Sequence, residues 1–211
     1  MRKPDISPEM RLFSPDGSRL YLNAEERKRF LKAAKQETPE NQMFCQVLHY
    51  TGCRPTEALE LTPGRILMEE QSLVFRSLKK RKTDYRGRTK QPQYRTVPVP
   101  QPLIEGLDLV FGVRTLRKRK KQMDDPLWEM SRATAYRMVK RVMERAGITG
   151  KQATGRGLRH AFGVAMVTAK KPLPLHVLSQ LMGHSDSKIT EIYLQVVGEE
   201  KRQLVTDAWE G

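Results

Sequence analysis

The sequence predicts a mainly α-helical domain with a small antiparallel sheet, an α+β fold. Apolar residues recur at helical spacing over most of the chain from Leu22 onward. One segment, Ser72 to Phe75, switches to a strand pattern and finds a return partner at Thr96-Val97-Pro98-Val99. A chain of 211 residues suffices for one main core, with no internal repeat and no low-complexity linker to divide it.

Residues 1–20, rich in Pro, Ser, Asp and Arg without periodicity, read as an N-terminal arm. Asn23 followed by Glu26 is a capping-box pair, with Leu22 placed as a staple, so a helix is expected from Ala24 to Lys35. Thr38-Pro39 starts a second helix, and Met43, Cys45, Val47 and Leu48 make it mostly buried. Gly52 ends it, and Pro55 begins a short helix through Leu61. After the two strands and their long basic loop, helices are expected at 101–110, 131–146, 157–170 and 174–182, with a short one near Ser187 to Leu194. The main domain is expected over 21–198, followed by an amphipathic tail over 199–211. Within that tail Leu204, Val205, Ala208 and Trp209 gather on one helical face.

Lys and Arg number 39 against 24 Asp and Glu, a formal charge of +15 that favours a polyanionic partner, nucleic acid first. The charge is clustered: the segments 76–95, 114–121 and 132–145 hold 20 of the 39 cations. Cys45 and Cys53 form no CxxC pair and read as packing residues, which suits a reducing cytoplasm. The N-terminus lacks an apolar signal core, and no apolar run approaches the ~20 residues of a membrane span. HExxH, CxxC and GxxxxGK(S/T) patterns are all missing from the sequence, which points away from a metal nuclease or an ATPase. No cofactor is expected.

Chemistry then rests on Arg, Lys, His and Tyr in distinctive contexts. In TGCRPTE, Arg54 opens a helix and Glu57 follows one turn later, where its carboxylate can orient the guanidinium. In RGLRH, Arg156 and Arg159 stand three apart at the start of an otherwise apolar helix, which calls for a polyanion or carboxylates. In LMGHSDSKITEIY, His184 lies at a turn after Gly183, and a fold-back of the next helix could bring Tyr193 onto the same phosphate.

Four boxes in this order, TGCRPTEALELT, SLVFRSLKK with its return strand YRTVPVP, GLRHAF and LMGHSDSKITEIY, resemble the catalytic domain of the tyrosine recombinase, or phage integrase, family from about Leu22 to Gly198. The resemblance implies that Arg54 and Arg159 clamp the nonbridging oxygens of a scissile phosphate, with Glu57 orienting Arg54. It implies Lys79 as the general acid for the leaving 5′ oxygen, Lys80 being the alternative if the register slips, His184 as a phosphate donor and Tyr193 as the nucleophile. Arg156 stands where many relatives carry a histidine; it can donate to phosphate but cannot act as a base. Removal of the Tyr193 proton is therefore left to His184 or to the positive pocket.

The implied activity is site-specific recombination, by integration, excision or inversion, through a 3′-phosphotyrosine that needs neither metal nor ATP. The alternative is a DNA-binding accessory or regulatory protein on the same fold, with lost or partner-dependent catalysis. The implied partners are double-stranded DNA, further copies of the chain in a tetramer on DNA and an accessory DNA-binding factor. Lys80, Arg81 and Lys82 in the basic loop, and Arg132, Tyr136, Arg137, Lys140 and Arg141 on the 131–146 helix, are candidate DNA contacts, mostly to phosphates. Only some 20 residues precede the first helix, so a second clamp domain is not expected in this chain, which reads either as a short recombinase or as a piece of a longer one.

Overall fold

The computed structural model describes residues 11–77, 91–119, 121–184, 189–196 and 209. Asn23 caps the first helix, α1 (Ala24–Ala34): its side chain accepts from the Glu26 N–H at 2.8 Å while the Glu26 carboxylate accepts from the Asn23 N–H at 2.8 Å. Thr38 caps α2 (Pro39–Thr51), which ends at Gly52 with φ of 58°. Arg54 then opens α3 (Pro55–Leu59), shorter than the expected run to Leu61 because the chain turns into a 3-10 segment at Pro63–Arg65.

The sheet has three strands in the order β1 (Ile66–Leu67), β2 (Ser72–Arg76), β3 (Tyr94–Pro98), all antiparallel. Ser72 pairs with Pro98 and Arg76 with Tyr94, while Leu73, Phe75 and Val97 turn their side chains into the core. Strand β1, only two residues long, carries no alternation that a sequence could display. Next come α4 (Gln101–Phe111) and α5 (Val113–Lys118). The latter lies in a basic run without an apolar stripe and was not expected. Helices α6 (Arg132–Arg145), α7 (Gly155–Val167) and α8 (Leu175–Met182) follow close to their predicted bounds, and Glu191–Tyr193 forms a 3-10 turn within the last predicted helix.

Helix α2 is the centre of the main core, packed against α1, α4 and α7. Met138, Val139 and Val142 of α6 are buried there as expected, and Cys45 and Cys53 are free, buried thiols. Helix α7 is a shared wall: Leu158 and Ala161 face the main core, while Phe162, Val164 and Val167 face a second cluster with Leu178, Met182 and Tyr193. The predicted N-terminal arm contributes to this second cluster. Its described part folds back through a Phe13–Arg19 bridge, and Leu12 is fully buried beside Tyr21 and Tyr193. Lys79, Lys80, Arg81, Lys82 and the predicted tail, except for Trp209 at 84% exposure, lie outside the described residues. Among the described residues no helix is long and apolar enough to cross a membrane.

Candidate active site

The left-handed turn at Gly52 sends the chain away from α2 and sets Arg54 at the N-cap of α3, where Glu57 is the third helical residue. The Glu57 carboxylate accepts from the Arg54 backbone N–H at 2.9 Å and from its guanidinium at 3.1 Å. Strand β3 brings a second cation to the same carboxylate. Arg95 donates to Oε1 at 3.2 Å and to Oε2 at 2.6 Å, its Nε donates to the Leu181 carbonyl at 2.8 Å, and its guanidinium lies over the Phe75 ring. Burial pushes the Glu57 carboxyl up, but the Arg95 hydrogen bonds and charge, with the Arg54 N–H, outweigh it and hold the group below its ordinary range. Arg95 thus ties α3, the sheet and the end of α8 together.

Arg159 is buried on α7 and donates to the Gly52 carbonyl at 2.7 Å and to the Met182 carbonyl at 2.6 Å. Both acceptors sit at helix C-termini, where unsatisfied carbonyls concentrate negative potential and hold a cation. Each terminal guanidinium nitrogen carries a second hydrogen, so these bonds orient the fork without exhausting it. Burial lowers the Arg159 pKa to about 10, which leaves the group charged at neutral pH.

His184 follows Gly183, whose φ of 65° caps α8 and whose missing Cβ makes room for the Arg95 guanidinium. Its Nδ1 lies 2.8 Å from Thr190 Oγ1. Burial and then the charges of Arg159 and Arg54 push its pKa down to about 3, so the imidazole is neutral at working pH.

Arg54, Arg156, Arg159 and His184 line one cleft of ≈ 580 Å³. Arg132 and Tyr136 of α6 line it too, with Lys151, His160 and Ser77, the last described residue before the Lys79 segment. Five permanent cations therefore meet there, with no carboxylate among the described lining residues. Arg156 is exposed at the start of α7, whereas Arg159, one turn on, is buried, so the pair predicted on one face divides between solvent and core.

The other α6 candidates point elsewhere. Arg141 and Arg145 pair with Glu37, Lys140 donates to the Ala153 carbonyl at 3.1 Å, and Arg137 reaches Thr134 at 3.5 Å. Tyr193 is not on the cleft wall either. It is 0% exposed, its ring lies against Gly163, and its Oη is 3.2 Å from His160 Nδ1. Burial raises its pKa above the ordinary phenol value, with Arg159 opposing.

Sequence reasoning missed Arg95 and His160. A cation in a basic strand and a histidine in an apolar helix each read as ordinary; the available signals were the Arg in YRTVPVP and the His that directly follows Arg159.

The phage integrase family pattern matches residues 21–200. The chain is 25% identical over 194 residues to the tyrosine recombinase XerA of Pyrococcus furiosus, covering 89% of this chain and 61% of that protein. It is 28% identical over 183 residues to the tyrosine recombinase XerD of Vibrio cholerae, covering 82% of this chain and 56% of that one. The chain thus spans about 60% of the length of these relatives. Its fold superposes on the crystal structure of XerA with a TM-score of 0.68 at 23% identity, covering 89% of this chain and 64% of the other. Against XerH bound to a palindromic difH substrate in a post-cleavage complex the TM-score is 0.70 at 22% identity, covering 94% and 56%. With the family pattern matching residues 21–200 and the fold superposing on solved recombinases, the chain belongs to the phage integrase family of tyrosine recombinases.

Proposed function

We propose that this protein is a site-specific DNA recombinase that cuts and rejoins strands through Tyr193. The observation that carries the reading is the cationic cleft, with no carboxylate among its described lining residues, in which Arg54, Arg159 and His184, from three separate segments, converge with Arg156. Such a cleft suits a phosphodiester. Arg54 and Arg159 hold the nonbridging oxygens, each already oriented by Glu57 or by helix carbonyls. If Thr190 donates to His184 Nδ1, the proton of the neutral imidazole resides on Nε2, which can donate to the phosphate. Arg156 adds a further donor. Charge that builds on the phosphoryl oxygens in the transition state meets donors already in place, and each is worth on the order of 10²–10³-fold in rate.

Tyr193 Oη displaces the 5′ oxygen, leaving a 3′-phosphotyrosine and a free 5′ hydroxyl, and the reverse attack by another 5′ hydroxyl completes the exchange. Lys79 supplies the proton to the leaving oxygen, with Lys80, Arg81 and Lys82 on adjoining phosphates. Arg132 and Tyr136 at the cleft contact the flanking duplex, and Arg137, Lys140 and Arg141 contribute to the longer-range positive field. The Tn1549 transposon integrase, a solved structure on this fold, is in complex with circular intermediate DNA, which supports double-stranded DNA as the partner. Assembly is through a tetramer on DNA, with the tail from 199 to 211 docking on a neighbouring copy.

The burial of Tyr193 favours one competing reading, a DNA-binding accessory protein on the same fold. A nicked suicide duplex drawn from the DNA flanking the protein's own coding sequence separates the two. The wild type is expected to form a covalent adduct that survives denaturing electrophoresis and EDTA, while Tyr193→Phe binds the duplex and forms none. Binding without any adduct by the wild type leaves the accessory reading standing.

A further inference from the structure

We infer that His160 is the general base of strand cleavage, accepting the Tyr193 Oη proton on Nδ1 as the oxygen attacks phosphorus. The inference rests on the recombinase reading above and names a residue that reading lacks. Tyrosine must lose a proton to attack, and its burial makes that loss harder. Among the described residues at the cleft, three groups come into question. Arg156 is a guanidinium and stays protonated. His184 has its Nδ1 engaged with Thr190, and an imidazole with a pKa of about 3 is a poor acceptor for a phenol proton. His160 remains, with Nδ1 3.2 Å from Oη, within the reach that proton transfer requires.

The surrounding geometry fits the role. His160 lines the cationic cleft and also touches the buried phenol, so it adjoins both the phosphate site and the nucleophile. Gly163, one turn further along α7, forms the seat of the Tyr193 ring, so base and seat share one helix face. Arg159, next in sequence to His160, ties that helix to the ends of α2 and α8, and so keeps His160 in register with the phosphate clamp. The tautomer with its proton on Nε2 presents Nδ1 as the acceptor.

In the forward step the Oη–H bond breaks and its proton passes to His160 Nδ1. The Oη–P bond forms, the P–O5′ bond breaks, and O5′ takes a proton from Lys79. Ligation reverses each transfer, and the His160 imidazolium returns the proton to the departing tyrosine. The step neither gains nor loses electrons overall.

The test uses the full chain and single-turnover adduct formation on the nicked duplex. His160→Asn places a neutral amide where Nδ1 stood, keeping a hydrogen bond to Oη without the basicity; His160→Ala removes both. Each is expected to bind the duplex like the wild type and to lose adduct formation by about 10²–10⁴-fold. Replacing Tyr193 by 3,5-difluorotyrosine, a more acidic phenol, is expected to restore at least about tenfold in both variants and to change the wild type far less. A His160→Asn protein that cleaves at the wild-type rate would show that the hydrogen bond alone matters, and so would overturn the base. A rate loss that the fluorinated phenol leaves untouched overturns it as well, by assigning His160 a packing role. Failure of the wild type to form any adduct refutes the recombinase reading itself, a distinct outcome.

Discussion

Replacing Gly163 by alanine tests where the structure seats Tyr193. A Cβ at position 163 would lie 2.7 Å from Tyr193 Oη and closer still to Cζ and Cε1. Carbon atoms in contact rest at ~3.5–4.0 Å, so the ring must move by roughly an ångström or leave its seat. It has little room to move, being fully buried among Phe162, Leu178 and Ile192. Overpacking of this kind costs about 1–3 kcal/mol. Alanine recovers up to about 1 kcal/mol of helix propensity over glycine. The net expectation is a loss of up to about 2 kcal/mol, read from the urea midpoint at unchanged m-value. A double-mutant cycle sharpens the test. In a Tyr193→Ala background, itself destabilised by about 3–5 kcal/mol, the clash is gone and Gly163→Ala should stabilise by about 1 kcal/mol. The coupling is then on the order of 2 kcal/mol. Equal effects in the two backgrounds would falsify the seat, as would a Gly163→Ala protein more stable than the wild type.

Three further outcomes are expected. Glu57→Gln removes the carboxylate that pairs with the buried Arg95 and should cost about 3–5 kcal/mol in urea unfolding. Because the folded carboxyl lies below its ordinary 4.5, its contribution is present above that pH and lost as pH falls through the folded value, so the variant should show a shallower acid-unfolding slope; an unchanged slope contradicts the pairing. His184, neutral in the fold down to about pH 3 and protonated below 6.5 when unfolded, makes stability rise with pH across that window. His184→Asn should flatten the rise, and an imidazole NMR titration near pH 6.5 in the folded protein would contradict the burial. Lys79→Ala should lose cleavage of an ordinary phosphodiester and recover on a 5′ bridging-sulfur substrate, whose thiolate leaves without a proton. Rescue of Arg54→Ala or Arg159→Ala by the same substrate would count against their assignment to the nonbridging oxygens.

Features governed by neighbours within a few residues were legible in the chain. The Asn23–Glu26 capping box, the Thr38-Pro39 start, the Gly52 stop and the Arg54–Glu57 pair depend on contacts three or four residues apart, and the structure reproduces each. The strand pair was readable for the same reason, since alternation is a local property, while the two-residue β1 offers no period to read. The charge count and the order of the four boxes sufficed to name the family.

Tertiary packing decided the rest. The Arg159 fork is set by carbonyls of Gly52 and Met182, 107 and 23 residues away. The second cation on Glu57 comes from Arg95, 38 residues on, and Arg141 is engaged by Glu37 across 104 residues. Sequence places His184 and Tyr193 in one box, yet the fold sets Tyr193 behind the cleft wall against His160, 33 residues earlier, in a buried cluster that also takes in Leu12 from the N-terminal arm. A residue's chemistry and its helical phase are written locally. Which buried partner it meets depends on how α7 packs between two cores, and that is a property of the whole chain's packing that no local period encodes.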